Sequence, residues 1–243
     1  MIATAERIEK RLSIKTGEIA ADTTAIRSLD WDRDRFDIEF GLRNGTTYNS
    51  FIIKGDKTAL IDTSHTKFRQ LYFDVLRGSI DPTQIDYLII SHTEPDHSGL
   101  VKDLLEIAPE IVVVGTKVAL DFLQNFVHAQ LNKKQVKNGD KLDLGKGHVL
   151  EFVFAPNLHW PDTLFTYDPQ TKTLYTCDAF GMHYCSEKIY DEDLKAIEAD
   201  YKFYYECLMA PNARSVQNAM KRMKALEIGR DTSELQSHLN LVC

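Results

Sequence analysis

The chain reads as an α+β fold: two mixed β-sheets packed together, with helices on the outer faces. Two observations predict it. Strand-like runs followed by helical runs occur twice, once in each half, whereas a doubly wound parallel sheet would alternate the two throughout. The strand-like runs also come in two textures. Alternating segments such as Phe36-Asp37-Ile38-Glu39-Phe40 suit half-buried strands, while Ile85-Asp86-Tyr87-Leu88-Ile89-Ile90 and Ile111-Val112-Val113-Val114 suit strands buried on both faces.

Taken in order, residues 1–21 read as a polar, partly helical lead-in of little core value. Thr24 to Leu29 and Phe36 to Phe40 then alternate as strands do, and Asn44-Gly45 supplies turn chemistry. Tyr48 to Ile53 and Lys57 to Ile61 flank Gly55-Asp56 as a hairpin. Phe68, Leu71, Tyr72, Val75 and Leu76 fall on one helical face. The strand over 85–90 leads into a loop, then a helix over Leu100 to Ile107 with Ser98 as its N-cap. After the Ile111 to Val114 strand, Leu120, Leu123 and Phe126-Val127 predict a short helix.

In the second half, Val149 to Phe154, Leu164 to Tyr167 and Thr173 to Thr176 are short strands separated by Pro156, Pro161 and Asp168-Pro169. Two helices close the pattern. One carries Leu194, Ile197, Tyr201, Tyr204, Tyr205 and Leu208 on one face; the other carries Val216, Ala219, Met220 and Met223. The tyrosine stripe reads as core, as such stripes usually are. No internal repeat or low-complexity tract interrupts the chain.

Composition narrows the function classes. The 243 residues allow one large domain or two small ones, and 43% hydrophobic with 27% charged residues is ordinary for a soluble globular protein. A net charge of −7 without a long basic run argues against a nucleic-acid partner. No apolar run approaches the length of a membrane span. Met1 to Lys15 lacks secretory or transit character, and Cys177, Cys185, Cys207 and Cys243 show no paired short spacing. A reduced, cytoplasmic protein is the expectation.

The chemistry concentrates in Ser91-His92-Thr93-Glu94-Pro95-Asp96-His97-Ser98-Gly99, between a buried strand and a helix. Two imidazoles and two carboxylates within six positions form a nitrogen and oxygen donor set suited to zinc, manganese or iron. Pro95 biases Glu94 toward an extended backbone, which lets His92 and Glu94 point the same way. Four polar side chains at the end of a core strand are costly without something to bind, so a merely solvated loop is the weaker reading. His159 follows one later strand and Asp178 another. Alone, the first would be structural and the second a turn former. Together the six donors exceed the roughly three or four protein ligands of a mononuclear site and suit two metals sharing a carboxylate.

The pattern His92-x-Glu94-x-Asp96-His97, then His159, then Asp178 resembles the diiron site of flavodiiron proteins, which is built on a metallo-β-lactamase-like αββα sandwich. Asp22 to Arg27, Trp31 to Asp37, Thr47 to Phe51, His159-Trp160-Pro161-Asp162, Cys177 to Gly181 and Met209 to Ser215 resemble the branch found in oxygenic phototrophs, the diflavin flavoproteins. The resemblance covers residues 22–229. It implies that His92, Glu94 and His159 hold one iron, Asp96 and His97 the second, and Asp178 both. Close relatives with dizinc hydrolytic sites carry His where this chain has Glu94, and an added carboxylate favours iron.

What the resemblance implies about function is reduction of O2 to water, or of NO to N2O, with electrons supplied by FMN and NAD(P)H. In the family, FMN sits in a flavodoxin-like domain of a head-to-tail homo- or hetero-dimer, and a flavin-reductase domain comes after it. Both domains are expected to be absent from this chain, leaving 1–21 as lead-in, 22–229 as the diiron domain and 230–243 as an atypical tail. The family's last ligand is a His in a Gly-His-Gly-Pro turn. His238 stands near the expected distance but outside such a turn. Two other readings compete: a dinuclear metal hydrolase of the same fold, and a catalytically incomplete subunit. Among the remaining histidines, His65 reads as a loop residue and His183 as a partner of a ligand. His128 and His148 read as surface, and Trp160 as packing over the site.

Overall fold

A computed structural model describes residues 11–36, 40–128, 130–191 and 193–228. The chain opens with β1 (Leu12–Ala20) and β2 (Thr23–Asp30), paired antiparallel from Leu12↔Asp30 to Ala20↔Thr23. The lead-in expected to be partly helical is therefore an edge strand over its second half. Its exposed Thr16 and Glu18 gave it a polar look, as edge strands often have. Leu12 and Ile14 nonetheless pack on the core. Residues 1–10 lie outside the described residues.

Two short strands come next, β3 (Arg35–Phe36) and β4 (Phe40–Gly41). They pair antiparallel, Phe36 opposite Phe40 with ring centroids 5.0 Å apart. The alternation read as one strand over 36–40 thus belongs to a chain that doubles back on itself. Gly45 occupies the left-handed region at φ +67 and sits against the Asp30 carbonyl, which a Cβ would strike, so the turn requires glycine. The hairpin β5 (Thr46–Lys54) and β6 (Thr58–Ile61) is where the alternation placed it.

Helix α1 (Arg69–Ser79) buries Tyr72, Phe73 and Leu76. Leu71, expected on that face, is exposed, because the helix turns Tyr72, Phe73 and Leu76 inward instead. Strand β7 (Tyr87–Ile89) leads to the short helix α2 (Pro95–Ser98) and then α3 (Val101–Ile107). Ser98 does not cap α3. With Pro95 in the first turn, helical geometry starts early, and Ser98 Oγ donates back to the carbonyls of Thr93 (2.8 Å) and Glu94 (3.1 Å). Strand β8 (Val112–Gly115) precedes α4 (Lys117–Val127), capped by Thr116 Oγ1 accepting from the Ala119 N–H. Leu120, Leu123 and Val127 are buried, but Phe126 faces solvent.

The remaining strands are β9 (Lys133–Gln135), β10 (Lys141–Gly145), β11 (His148–Phe154), β12 (Leu164–Asp168) and β13 (Thr173–Tyr175). The larger sheet runs β1-β2-β5-β6-β7-β8-β9, antiparallel as far as β6 and parallel from there. The smaller runs β10-β11-β12-β13, antiparallel throughout. Helices α5 (Leu194–Tyr204) and α6 (Ala213–Met223) complete the fold. A π-helical turn over Tyr205–Met209 lies between them and rotates the expected apolar face. Tyr204 is buried, Tyr205 half-buried and Tyr201 exposed, so the tyrosine stripe is only partly core; Met220 is likewise exposed.

Three layers of core arise from strand periodicity. On β5, Tyr48 and Ile52 face α1, α3 and α4, whereas Phe51 and Ile53 face the smaller sheet. Leu88 with Val113, and Ile89 with Val114, divide in the same way. The outer face of the smaller sheet packs Val153, Phe165 and Leu174 against Ile197, Val216 and Ala219. The order is helices, sheet, sheet, helices, as expected. Each buried aliphatic chain contributes about 1.5–3 kcal/mol, so both sheets are firmly anchored near the loops that leave their edges. His148, read as surface, is instead buried, with Nδ1 2.8 Å from Asp168 Oδ2. Only the pairing, across 20 residues, distinguishes it.

Candidate metal centre

The loop after β7 is held by both sheets. The Ser91 N–H donates to Asp62 Oδ1 (2.7 Å), and the Ser91 carbonyl accepts from the Leu164 N–H (2.8 Å). His92 is thereby fixed between the layers, fully buried. Its Nδ1 lies 3.4 Å from Asp162 Oδ1, and Asp162 Oδ2 accepts from Thr93 N–H (2.8 Å) and Thr93 Oγ1–H (2.6 Å). Nε2 of His92 is left for the site, 3.1 Å from Glu94 Oε2 and 3.4 Å from Asp178 Oδ2. Glu94 has an extended backbone (φ −59, ψ 145) before Pro95, which turns its carboxylate to the same side as His92.

His97 comes from α2, where its carbonyl accepts from both Thr63 N–H and Thr63 Oγ1–H at 2.7 Å. Gly99 permits this close approach, since a Cβ there would meet the Pro95 carbonyl. His97 Nε2 is 2.7 Å from Asp178 Oδ1 and 3.8 Å from Asp96 Oδ2. His159 Nε2 is 3.0 Å from Glu94 Oε2 and 3.2 Å from Asp178 Oδ2. All six residues singled out in the sequence, His92, Glu94, Asp96, His97, His159 and Asp178, thus converge. The two oxygens of Asp178 face different groups: Oδ2 faces His92 and His159, while Oδ1 faces His97.

The donor atoms of His92, Glu94, His159 and Asp178 lie within 4.8 Å of one another. A second compact group is Asp62, His97 and Cys177 rather than Asp96 and His97. Burial pushes the Cys177 thiol well up, and its Sγ lies 3.6 Å from His97 Nδ1. Asp62 already takes the Ser91 N–H and lies 3.5 Å from His97 Nδ1, on the side away from Asp178. These two side chains therefore orient His97, as Asp162 orients His92. Trp160 stands edge-on to the His92 ring at 5.0 Å and covers it. His238 lies outside the described residues.

Electrostatics fit a cation site. Burial opposes charge throughout, yet the hydrogen bonds from Asp162 and Glu94 raise His92 to about 9, and those from Asp178 and Glu94 raise His159 to about 10. His97 is raised well above its ordinary value, against its burial, by Asp178, Cys177 and Asp96. Glu94 falls to about 2 despite burial, through His159 and His92, and Asp178 falls well below the carboxylate range through His97 and His159. Asp96 is the exception: burial raises it to about 6, and its Oδ1 is buried without a hydrogen-bond partner. Protons on the imidazoles supply the positive charge that cations would otherwise supply. Three imidazole nitrogens and three carboxylates, one of them two-sided and one with an orphaned oxygen, form a donor set that fits a pair of cations.

A cavity of about 200 Å³ opens onto this cluster. Arg33, Phe36, Tyr48, His65, His183 and Tyr204 line it together with Glu94, Asp96, His159 and Asp178. His65 caps the turn at Thr66 through Nδ1, which accepts from the Lys67 N–H (3.1 Å), and burial followed by Lys67 brings its ring down to about 4. His183 meets no candidate ligand directly, as its Nδ1 lies 2.8 Å from Thr46 Oγ1. Sequence spacing does not reveal Asp162, Thr46, Tyr48 or Tyr204, whose roles exist only across long separations.

The chain matches the model of the "ODP family beta lactamase" over residues 46–230. It is 70% identical over 226 residues to putative diflavin flavoprotein A 3 of Nostoc sp. (strain PCC 7120), covering 93% of this chain and 39% of that one. The chain thus spans about two fifths of that relative's length. Among solved structures it is similar to the metal-soaked Flv1 flavodiiron core from Synechocystis sp. PCC6803, with TM-score 0.84 and 35% identity, covering 88% of this chain and 54% of that one. It is equally similar in fold to rubredoxin oxygen:oxidoreductase from Desulfovibrio gigas, with TM-score 0.84 and 25% identity, covering 88% of this chain and 54% of that one. With its αββα layers and its donor cluster, this chain belongs to the ODP β-lactamase family, as the metallo-β-lactamase-like core of a cyanobacterial-type diflavin flavoprotein within the flavodiiron proteins.

Proposed function

We propose that the chain is the oxidoreductase core that reduces O2 to water at a pair of irons, His92, Glu94 and His159 holding one and Asp96 and His97 the other, with Asp178 holding both. The observation that carries this reading is the divided carboxylate of Asp178, with His97 on one oxygen and His159 on the other. Support for O2 over NO comes from the D. gigas neighbour, whose name gives oxygen as its substrate. Glu94 supports iron over zinc, because a hard carboxylate replaces an imidazole. When bound, the irons supply electrons to O2, about two of the four that water formation needs, and the rest must come from FMN and NAD(P)H in a full-length protein.

The chain's own residues do the positioning. Asp162 holds His92 Nε2 toward the centre, Thr63 fixes the backbone at His97, and the edge of Trp160 keeps water from the His92 ring. The cavity, about 200 Å³, has room for O2 beside the cluster. A head-to-tail pairing of subunits and a cytoplasmic location belong to the same reading, the second favoured by the scattered cysteines. Among the described residues, no helix is long and apolar enough to cross a membrane.

Elemental analysis of protein produced with iron and zinc both available tests the metal, with nearly two irons per chain expected. Dithionite-reduced, iron-loaded protein should then consume about half an O2 per centre if water is the product. Stoichiometric zinc with no uptake of iron defeats the reading.

A further inference from the structure

His183 is carried by a strap, residues 182–190, that crosses β1, β2 and the start of β5. The Cys185 N–H donates to the Asn44 carbonyl (2.8 Å), Thr47 Oγ1 donates to the Tyr184 carbonyl (2.6 Å), and Cys185 Sγ donates to the Thr46 carbonyl (2.9 Å). The buried Arg27 guanidinium holds the Lys188 carbonyl, and Ile189 packs over Gly17, where a Cβ would collide with it. The strap is therefore fixed along its length, and it delivers one imidazole to the cavity wall beside Glu94, His159 and Asp178.

That imidazole is locked in place. Its ring lies 4.2 Å from the Phe36 ring and 5.0 Å from the Tyr204 ring, and its Nδ1 faces Thr46 Oγ1 at 2.8 Å. Nε2 is buried and has no hydrogen-bond partner. A bare buried polar atom is costly, and at a cavity wall it points to a ligand that completes it. Burial brings the ring down to about 4, so it is uncharged at neutral pH. Asp178 and Glu94 draw its value up and Arg33 and His159 push it down, but burial outweighs them. When the Thr46 hydroxyl donates to Nδ1, the ring proton sits on Nε2, the nitrogen left without a partner.

We propose that His183 is the cavity's neutral hydrogen-bond donor, and that its Nε2–H binds a small anionic or dipolar ligand seated against Glu94, His159 and Asp178. His183 is then a specificity-determining residue, favouring ligands that end in an acceptor atom, and Thr46 is the positioning residue that sets its tautomer. The inference rests on the reading of the centre as an iron site.

Azide, a linear anion with an acceptor at its end, is the probe. It is titrated into oxidised, iron-loaded protein and followed by visible absorption, with iron content measured on the same samples. His183→Leu should weaken azide binding about tenfold, the effect of one lost hydrogen bond. His183→Gln, which keeps a donor, should recover most of that loss, and Thr46→Val should fall between the two. In the metal-free protein, nitrogen-detected NMR of labelled histidine should find His183 neutral with its proton on Nε2. Wild-type affinity in iron-replete His183→Leu, or a proton on Nδ1, overturns the inference while leaving the iron reading intact. No azide binding by iron-replete wild type overturns it as well. Failure of every variant, wild type included, to hold iron overturns both. If His183→Leu does not fold, Thr46→Val and the NMR measurement still decide.

Discussion

Asp178 Oδ1 lies 2.7 Å from His97 Nε2, and this contact turns the other oxygen of the same carboxylate, Oδ2, toward His159 at 3.2 Å. One side chain, at the end of β13, thereby joins donors from the β7 loop and from the loop after β11. Removing it separates them. Asp178→Ala should retain less than about a tenth of wild-type iron, because both halves of the site lose a ligand. His159→Ala should retain roughly half, because His97 and Asp96 keep Asp178 as partner. Elemental analysis after desalting checks both. Full occupancy in Asp178→Ala beside depletion in His159→Ala would show that Asp178 is not the shared ligand.

Asp162 acts one step further out. Its Oδ2 accepts from both donors of Thr93, leaving Oδ1 for His92 Nδ1. Asp162→Asn keeps the volume but replaces one acceptor by a donor, so either Thr93 or His92 loses its partner. Iron affinity should fall by about 10–100-fold, measured by chelator competition, with little change in fold. Unchanged affinity would reduce Asp162 to a loop residue.

Glu94 tests metal identity. Its carboxylate stands between His92 at 3.1 Å and His159 at 3.0 Å, within reach of both. Glu94→His exchanges a hard anionic donor for a neutral imidazole, so zinc should gain on iron in competitive loading by about tenfold or more. An unaltered ratio would place the preference elsewhere in the site.

Much of this was legible in the sequence because it is local. The β5–β6 hairpin shows as alternation around Gly55-Asp56, and the buried strands before the metal loop and at β8 show as apolar runs. The donors of the β7 loop stand within six positions. The illegible features depend on distant partners or on phase. β1 hides as a polar lead-in because, at the sheet edge, none of its nine residues is fully buried. His148 looks like a surface residue until Asp168 arrives from the next strand. Tyr204 is buried while Tyr201, one turn earlier on α5, is exposed, and a π-helical turn changes the spacing from Tyr205 onward. Thr46 meets His183 across 137 residues, and no short window contains both.

The pH dependence of the metal-free protein takes its sign from the imidazoles. In that state His92 is raised to about 9 and His159 to about 10, with burial opposing and Asp162, Glu94 and Asp178 prevailing. A group whose value is higher in the folded state contributes stability that is complete below its ordinary value, near 6.5, and is lost as pH rises through the folded value. The metal-free protein should therefore lose stability between about pH 7 and 10. Glu94 at about 2 belongs to the same ion pairs, so its depression adds no separate loss in this window. Asp96, raised to about 6, has finished titrating before the window opens. A loss of a few kcal/mol corresponds to a fall in Tm of roughly 5–10 °C for a domain of this size. Cations need the same imidazoles unprotonated, so metal affinity should rise across the same range and metal binding should release protons. The loaded protein should then keep its Tm where the metal-free protein loses it. Calorimetry at several pH values, in buffers of different ionisation enthalpy, measures both effects. A flat Tm for the metal-free protein from about pH 7 to 10, with no proton release on metal binding, would mean that the imidazoles are already neutral and that the ion-paired description of the metal-free cluster is wrong.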